Sequence, residues 1–387
     1  MKLLNLKVEG FRSLRHVTWE PGDLNVLIGP NAGGKSNLLR ILELLSISAQ
    51  HGLSKHIQKE GGMGALVWDG RAEDICVRIL TAPAEDDHEL GRDNFAYGLR
   101  LDRIGTSAGY TVGWEELGAG EKVFLHRSDN KASVTSVRNE KSDVGLESLE
   151  GEALLSTFSL PWHENPVLGA FRSRMASWGV YQDFDTGRDS PVRRGSVART
   201  EKRVGSDGEN LVCVLHTLYT QDREFKQEID DAMRAAFGPD FEGLIFPPEA
   251  DQRIQLRVAW KSLKRPQSAA DLSDGTLRFL FLLAILANPD PPALIAIDEP
   301  ETGLHPSMLP IIAEYGADAS TRTQVVFASH SPEFLDSFRE TIPTTTVVEC
   351  RDGETRIRNL SGDALSSWLK EYSLGEILRS SEAEIIE

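Results

Sequence analysis

The sequence predicts an α/β protein: a mixed-sheet core carrying a phosphate-binding loop, an inserted antiparallel β subdomain and a helical lobe. Three observations predict it. Gly29-Pro30-Asn31-Ala32-Gly33-Gly34-Lys35-Ser36 fits GxxxxGK[ST] between an apolar run and a helical pattern. Late in the chain the apolar runs LIAID and QVVFAS alternate with helical segments, which implies a parallel sheet. Between about residues 72 and 137 stand short alternating runs divided by Gly, Asp and Asn, the pattern of antiparallel strands.

In chain order, LLNLKVEGF and DLNVLIG read as strands. The opening MKLLNLKVEGFRSL alternates and carries charges, so a strand is expected there rather than a signal peptide. Residues 36–50 have apolar side chains at helical spacing. DICVRILTA, NFAYGLRLDR, GYTVGWEEL and EKVFLHR are the antiparallel runs. From about residue 151 helical patterns return in NPVLGAFRSRMASWGV and ENLVCVLHTLYTQDREFKQEIDDAMRAAFG, with the polar loop TGRDSPVRRGSVARTEKRV between them. QRIQLRVAWKS reads as one strand, and LSDGTLRFL opens a run apolar enough to be buried. LIAID, MLPIIAEYGADA, QVVFAS and PEFLDSF then alternate strand and helix, before the strand pair TTTVVECRDGETRIRNL and a final helix. The expected partition is a core of residues 1–60 and 250–387, a β insertion at 61–150 and a helical lobe at 151–249. No internal repeat and no sustained heptads occur, so a long coiled-coil arm is not expected.

Composition narrows the class. The chain has 387 residues, 40% of them hydrophobic, enough for a sizeable core. A formal net charge of −17 excludes a bulk nucleic-acid coat and leaves room only for a local basic patch. Three widely spaced cysteines without CxxC spacing argue against a disulfide framework or a zinc site and fit the cytoplasm. The longest apolar run, FLFLLAILA, is far too short to span a bilayer, so no membrane association is expected.

The motifs carry a consistent chemistry. Glycines in the first one let backbone N–H groups wrap a phosphate chain, and the helix N-terminus adds partial positive charge. Lys35 then reaches the β- and γ-phosphates, and the Ser36 hydroxyl ligates Mg²⁺. ALIAIDEPE is an apolar strand ending in Asp298 and Glu299. Carboxylates at such a strand end emerge at the ligand edge of a parallel sheet: Asp298 to hold the metal, Glu299 to orient or deprotonate a water. VVFASHSPEF ends another strand in His330, with Ser331 as helix cap and Pro332 at the first helical position. In LSDGT, Ser273 and Gly275 at a helix N-terminus form an anion site. The loop at Lys35 already holds its own phosphates, so the simplest source of a second phosphate is another copy of the chain. A capped core helix, with Ser273 or Asp274 as cap, is the other reading of this stretch.

GPNAGGKS, LSDGT, AIDEPETGLHP and ASHSPEF, in this order, resemble the P-loop, signature, Walker B with D-loop, and H-loop of an ABC-type ATPase. The wording is similar to the RecF/SMC-like branch and its AAA_21 group, which recurs in the ATPase halves of OLD-family nucleases and of anti-phage defence systems. VEGFRSL and WLKEYSLGEIL also look like stand-alone members. The resemblance implies an ABC-type P-loop NTPase fold, with ATP held by residues 29–36 and Asn37. It further implies Mg²⁺, an ATP-sandwiched homodimer or larger assembly, and hydrolysis aided by Glu299 and His330. It also suggests Arg12 as a basic residue near the nucleotide, though a surface strand-end arginine reads equally well. Asp274 departs from the glycine common in ABC signatures, which leaves phosphate contact to Ser273 and Gly275. The family's Q-loop glutamine has no clear position; Gln50 and Gln58 fit by order alone. OLD-type proteins continue into a Toprim nuclease, whereas about 55 residues follow His330 here, so a separate effector protein is expected. The loop around residues 188–203 is the densest basic stretch. Its Arg193, Arg194, Lys202 and Arg203 are candidates for DNA or an acidic partner, against a solvated loop. A membrane-transporter subunit and an ATP-binding scaffold without turnover are the competing functional classes.

Overall fold

The computed structural model describes residues 1–83, 93–105, 108–128, 131–136, 140–145, 151–157, 166–338 and 341–360. The helix expected in WLKEYSLGEIL lies outside the described residues. Two compact units make up the chain. One is Met1–Val180 with the returning strands Thr344–Arg351 and Glu354–Leu360; the other is Tyr181–Pro343.

The first unit holds an eight-stranded antiparallel sheet. Its order is Leu14–Trp19, Leu3–Phe11, Asp74–Thr81, Phe95–Arg103, Tyr110–Ala119, Lys122–Ser128, Lys131–Thr135 and Lys141–Val144. The first strand, expected in the nucleotide core, is thus the second strand of this sheet, paired antiparallel on both sides. Its alternation explains why: Leu6 and Val8 are fully buried while Lys7 and Glu9 face outward, as a sheet with one wet face requires. The strand Leu24–Ile28 is different. It is buried throughout and runs parallel to Thr344–Arg351, with Ile28 opposite Val347. The helix Lys35–Ser48 follows it directly. Its far end is held by Ser46 Oγ donating to the Ala176 and Trp178 carbonyls, and by Arg172 Nε donating to the Ala49 carbonyl.

A fully buried carboxylate locks the sheet to the chain beyond it. Glu115 accepts the N–H groups of Leu154 and Leu155, at 2.5 and 2.9 Å, and the Tyr97 hydroxyl at 3.1 Å. Glu152 in turn accepts the N–H groups of Leu53 and Ser54, both at 3.0 Å, at the start of the helix Leu53–Lys59.

In the second unit Leu294–Asp298 and Gln324–Ser329 are parallel neighbours, joined by a crossover that contains the helix Leu309–Ala319. The helix Asp274–Leu286 is buried along most of its length, as its apolar run predicts. The long helical pattern of the lobe breaks into Leu211–Gln221 and Arg223–Phe237. Asp222 makes the break: its backbone is extended and its side chain caps the second helix by accepting from Phe225 N at 3.0 Å. QRIQLRVAWKS is two short strands rather than one. Arg253–Ile254 pairs with Ser196–Val197 from the polar loop, and Arg257–Trp260 pairs with Phe241–Ile245. The lobe core includes a stacked Phe184–Phe281 pair, with ring centroids 4.0 Å apart.

Candidate functional site

In the first unit the segment 29–36 leaves a buried strand and enters a helix, the context its sequence pattern requires. Gly34 is the helix N-cap at φ 110°, a left-handed conformation, and a Cβ there would lie 2.1 Å from Thr355 Oγ1. A glycine at that position offers no side chain to cap the helix, so the first-turn N–H groups face the loop. Pro30, Asn31 and Ala32 are exposed, Gly29, Gly33 and Lys35 buried, Ser36 and Asn37 half-buried. Lys35 Nζ donates to the carbonyls of Gly29, at 2.6 Å, and Pro30, at 3.0 Å. The ammonium therefore lies in the mouth of its own loop.

A hydroxyl chain braces this loop. Asn37 Nδ2 donates to Ser13 Oγ at 2.7 Å, Ser13 and Thr355 share a hydrogen bond of 2.7 Å, and Thr355 Oγ1 donates to the Gly33 carbonyl at 3.1 Å. Ser13 stands in the turn of GFRSL. Nothing local in the sequence marks Thr355, because its role arises only when the returning strands meet the loop. Beside Ser13, Arg12 has φ 47° and pairs with Glu60, which also meets Arg40. Burial, then the neighbouring Arg40, lowers the Arg12 pKa, and Glu60 offsets part of that. In this conformation Arg12 is engaged with Glu60.

Gln50 follows the far end of the Lys35 helix and donates to Ser46 Oγ and the Ala176 carbonyl. A helix of that length separates it from Lys35 by roughly 20 Å. Gln58 is exposed on the next helix.

In the second unit the parallel register sets Asp298 opposite Ala328, so the acidic strand end and the His330 strand end lie side by side. Glu299 takes φ 46° while its N–H donates to the Ala328 carbonyl at 2.8 Å. His330 Nδ1 lies 3.2 Å from Glu299 Oε1 and 3.7 Å from Glu301 Oε1. His330 is exposed and Glu299 half-buried, whereas the Glu301 side chain is nine-tenths buried. Glu301 accepts from Ser329 Oγ at 2.7 Å and from the His330 N–H at 3.3 Å, so it fixes the strand end that carries the histidine. Nothing in the local pattern of DEPETGLHP marks this third carboxylate. Among the described residues eight non-glycines have positive φ, and Arg12, Ala32 and Glu299 are three of them. Such backbone positions gather at functional sites.

Ser273 is the N-cap of the helix Asp274–Leu286, accepting from Thr276 N at 3.1 Å. It is also exposed, so its capping role does not bury the outer side of the turn. A Cβ on Gly275 would lie 2.6 Å from the Gly303 carbonyl oxygen, so glycine is needed for the close approach to the DEPETGLHP turn. Arg278, one turn further, donates to the Glu299 carbonyl at 3.1 Å.

The basic loop is less free than its charge suggests. Arg193 is 9% exposed and bonded entirely within the unit, which removes it from any DNA-facing patch. Burial of a guanidinium needs this full set of acceptors, and phosphate contact would forfeit them. Arg194 pairs with Asp189 and Arg203 with Asp290, both at the surface; Lys202 is exposed.

The residues suit a nucleotide polyphosphate with a divalent cation. The glycine-lined loop, the lodged ammonium and the Ser36 hydroxyl are what a P-loop needs. A Mg²⁺ held by a hydroxyl and phosphate oxygens needs no cage of protein carboxylates. Among the described residues there is none, nor any helix long and apolar enough to cross a membrane.

Comparison with known proteins agrees with this geometry. The family model described as "AAA domain, putative AbiEii toxin, Type IV TA system" (AAA_21) matches residues 24–336. No curated protein matches the chain. An SMC head bound to the C-terminal winged-helix domain of ScpA superposes with a TM-score of 0.60 at 14% identity, covering 95% of this chain and 100% of that one. An SMC head with an extended coiled coil, bound to the C-terminal domain of ScpA derived from Pyrococcus furiosus, superposes with a TM-score of 0.55 at 12% identity, covering 96% and 99%. The chain belongs to the AAA_21 family of ATPases, and its fold is that of an SMC-type ABC ATPase head.

Proposed function

We propose that the chain is an ATP-hydrolysing switch: it dimerises around ATP and thereby controls a separate effector protein or a DNA transaction, in phage defence or DNA repair. The observation that carries turnover, rather than binding alone, is the pair Glu299 and His330, 3.2 Å apart at the ends of adjacent parallel strands. A passive scaffold has no use for a carboxylate held in the left-handed backbone region beside an imidazole.

The roles are as follows. Residues 29–37 cradle the phosphates, and Lys35 exchanges its loop carbonyls for the β- and γ-phosphate oxygens. Ser36 and Asp298 are the proposed Mg²⁺ ligands on the order of their motifs in the chain, and the ion would supply charge neutralisation. Glu299 orients or deprotonates the attacking water, and His330 supports it from Nδ1. Arg12 exchanges Glu60 for the nucleotide. Ser273 and Gly275 meet the nucleotide of a second copy. Gln182, which directly follows the strand Gly179–Tyr181, is proposed as the Q-loop glutamine in place of Gln50 and Gln58.

Lys35→Ala removes the charge that balances the phosphates, and calorimetry should find no ATP binding. Gln182→Ala should bind ATP and lose turnover. Unchanged binding by Lys35→Ala would refute the P-loop assignment; unchanged turnover by Gln182→Ala would return the glutamine to the unassigned.

A further inference from the structure

We infer that Arg193 is a positioning residue for the signature turn. It fixes the backbone that presents Ser273 and Gly275, and it cancels the charge of Asp274, so that the turn can accept another subunit's phosphates. The inference rests on the signature reading above.

Arg193 comes from the loop that sequence charge marks as solvated, in the short turn Pro191–Arg193. Its guanidinium is nevertheless buried and spends its donors on one small region. Nε donates to the Thr186 carbonyl at 2.7 Å, Nη1 to the Ala269 and Leu272 carbonyls at 3.0 and 2.7 Å, and Nη2 to Asp274 Oδ1. Ala269 and Leu272 bracket the chain entering Ser273. The planar fork therefore holds the last residues before the helix cap, while the Gly303 carbonyl lies against Gly275 on the helix itself.

Asp274 is the residue that departs from the glycine expected in the signature. Its side chain is 70% exposed, beside exposed Ser273. A free carboxylate there would repel an incoming phosphate, and no local residue of LSDGT can compensate it. Arg193 does so in a charge-assisted hydrogen bond. Arg194, Lys202 and Arg203 do not share this role, because their charges remain at the surface. The basic loop thus contributes its one buried arginine to the ATPase turn. A lysine could not replace it, since a single ammonium cannot span carbonyls and carboxylate together.

The test compares Arg193→Met, Arg193→Lys, Asp274→Asn and Arg193→Met/Asp274→Asn. Each is measured for amide hydrogen exchange over residues 269–276 without nucleotide, and for dimerisation with a slowly hydrolysed ATP analogue by light scattering. Monomer binding of ATP is followed by calorimetry, and retained binding shows that a variant is folded. Arg193→Met should speed exchange in the turn, keep ATP binding and weaken dimerisation about tenfold or more. Arg193→Lys should fall between it and the wild type. Adding Asp274→Asn to Arg193→Met should restore part of the dimerisation, because the repelling charge is gone while the backbone stays unfixed. Asp274→Asn alone should dimerise like the wild type. Wild-type exchange and dimerisation in Arg193→Met would overturn the inference. Loss without rescue by Asp274→Asn would overturn its electrostatic half. A wild-type chain that stays monomeric with nucleotide would instead overturn the proposed function, and the exchange measurement would still decide whether Arg193 sets the turn.

Discussion

Asp298 and Glu299 are adjacent, yet the backbone separates their work. Asp298 ends a regular strand in register with Ala328, whereas Glu299 turns through φ 46° and puts its carboxylate against His330. Glu299→Gln keeps the size and one acceptor but cannot take a proton. Its proposed role is confined to the transition state, so ATP binding should hold while turnover falls about 10²- to 10⁴-fold. Asp298→Asn should instead weaken Mg–ATP binding. Steady-state hydrolysis and calorimetry on both variants check the division. Wild-type turnover in Glu299→Gln would transfer the base to His330. The residue scale also separates legible from hidden chemistry. Lys35, Asp298 and His330 were legible because each ends or opens a run whose pattern is local. Glu301 and Thr355 were not, since their partners arrive from distant parts of the chain.

At the scale of elements, the antiparallel sheet is tied down through Glu115 on Tyr110–Ala119. Burial pushes the Glu115 pKa up, against the opposing pull of the Leu155 and Leu154 N–H groups, Tyr97 and Arg127. The folded chain therefore keeps a proton there over a range in which the unfolded chain has lost it. Stability from this group is complete below the ordinary carboxylate value of 4.5 and is lost as pH rises through the raised pKa. Glu115→Gln cannot titrate. Urea-unfolding curves over a pH series should show the wild type losing stability relative to Glu115→Gln from about pH 4.5 upward. The variant should also be about 1–3 kcal/mol less stable at acid pH, because its amide N–H opposes one of the two backbone donors. A difference that grew in the other direction with pH would contradict the buried-carboxylate account. The sequence located this sheet from its alternation but could not show that Leu3–Phe11 joins it. Alternation reports that a strand has one wet face, and the pairing partner is decided by the fold.

For the whole molecule, the exposed Ser273 and the net charge of −17 set opposing demands on association. Two copies this acidic repel at long range, so only a short-range, well-fitted contact can join them. Ser273→Arg puts a bulky side chain where the second nucleotide is proposed to dock. It should leave monomer binding of ATP intact and abolish the proposed ATP-driven dimerisation, with light scattering as the measurement. Normal dimerisation would reduce LSDGT to the helix cap that Ser273 also provides.

By itself the sequence determined the motifs, their strand-end or helix-start setting, and the fold class they belong to. These depend on spacing and on polarity within a few residues, which the chain carries locally. Only the tertiary structure decided that Arg193 leaves the basic loop for the LSDGT turn and that Glu301 holds the His330 strand end. It alone also showed Ser13 and Thr355 bracing the P-loop. Each of these is a buried polar group whose energy depends on acceptors brought from elsewhere in its unit. A linear pattern records a charge but not whether folding will surround it with partners or with water.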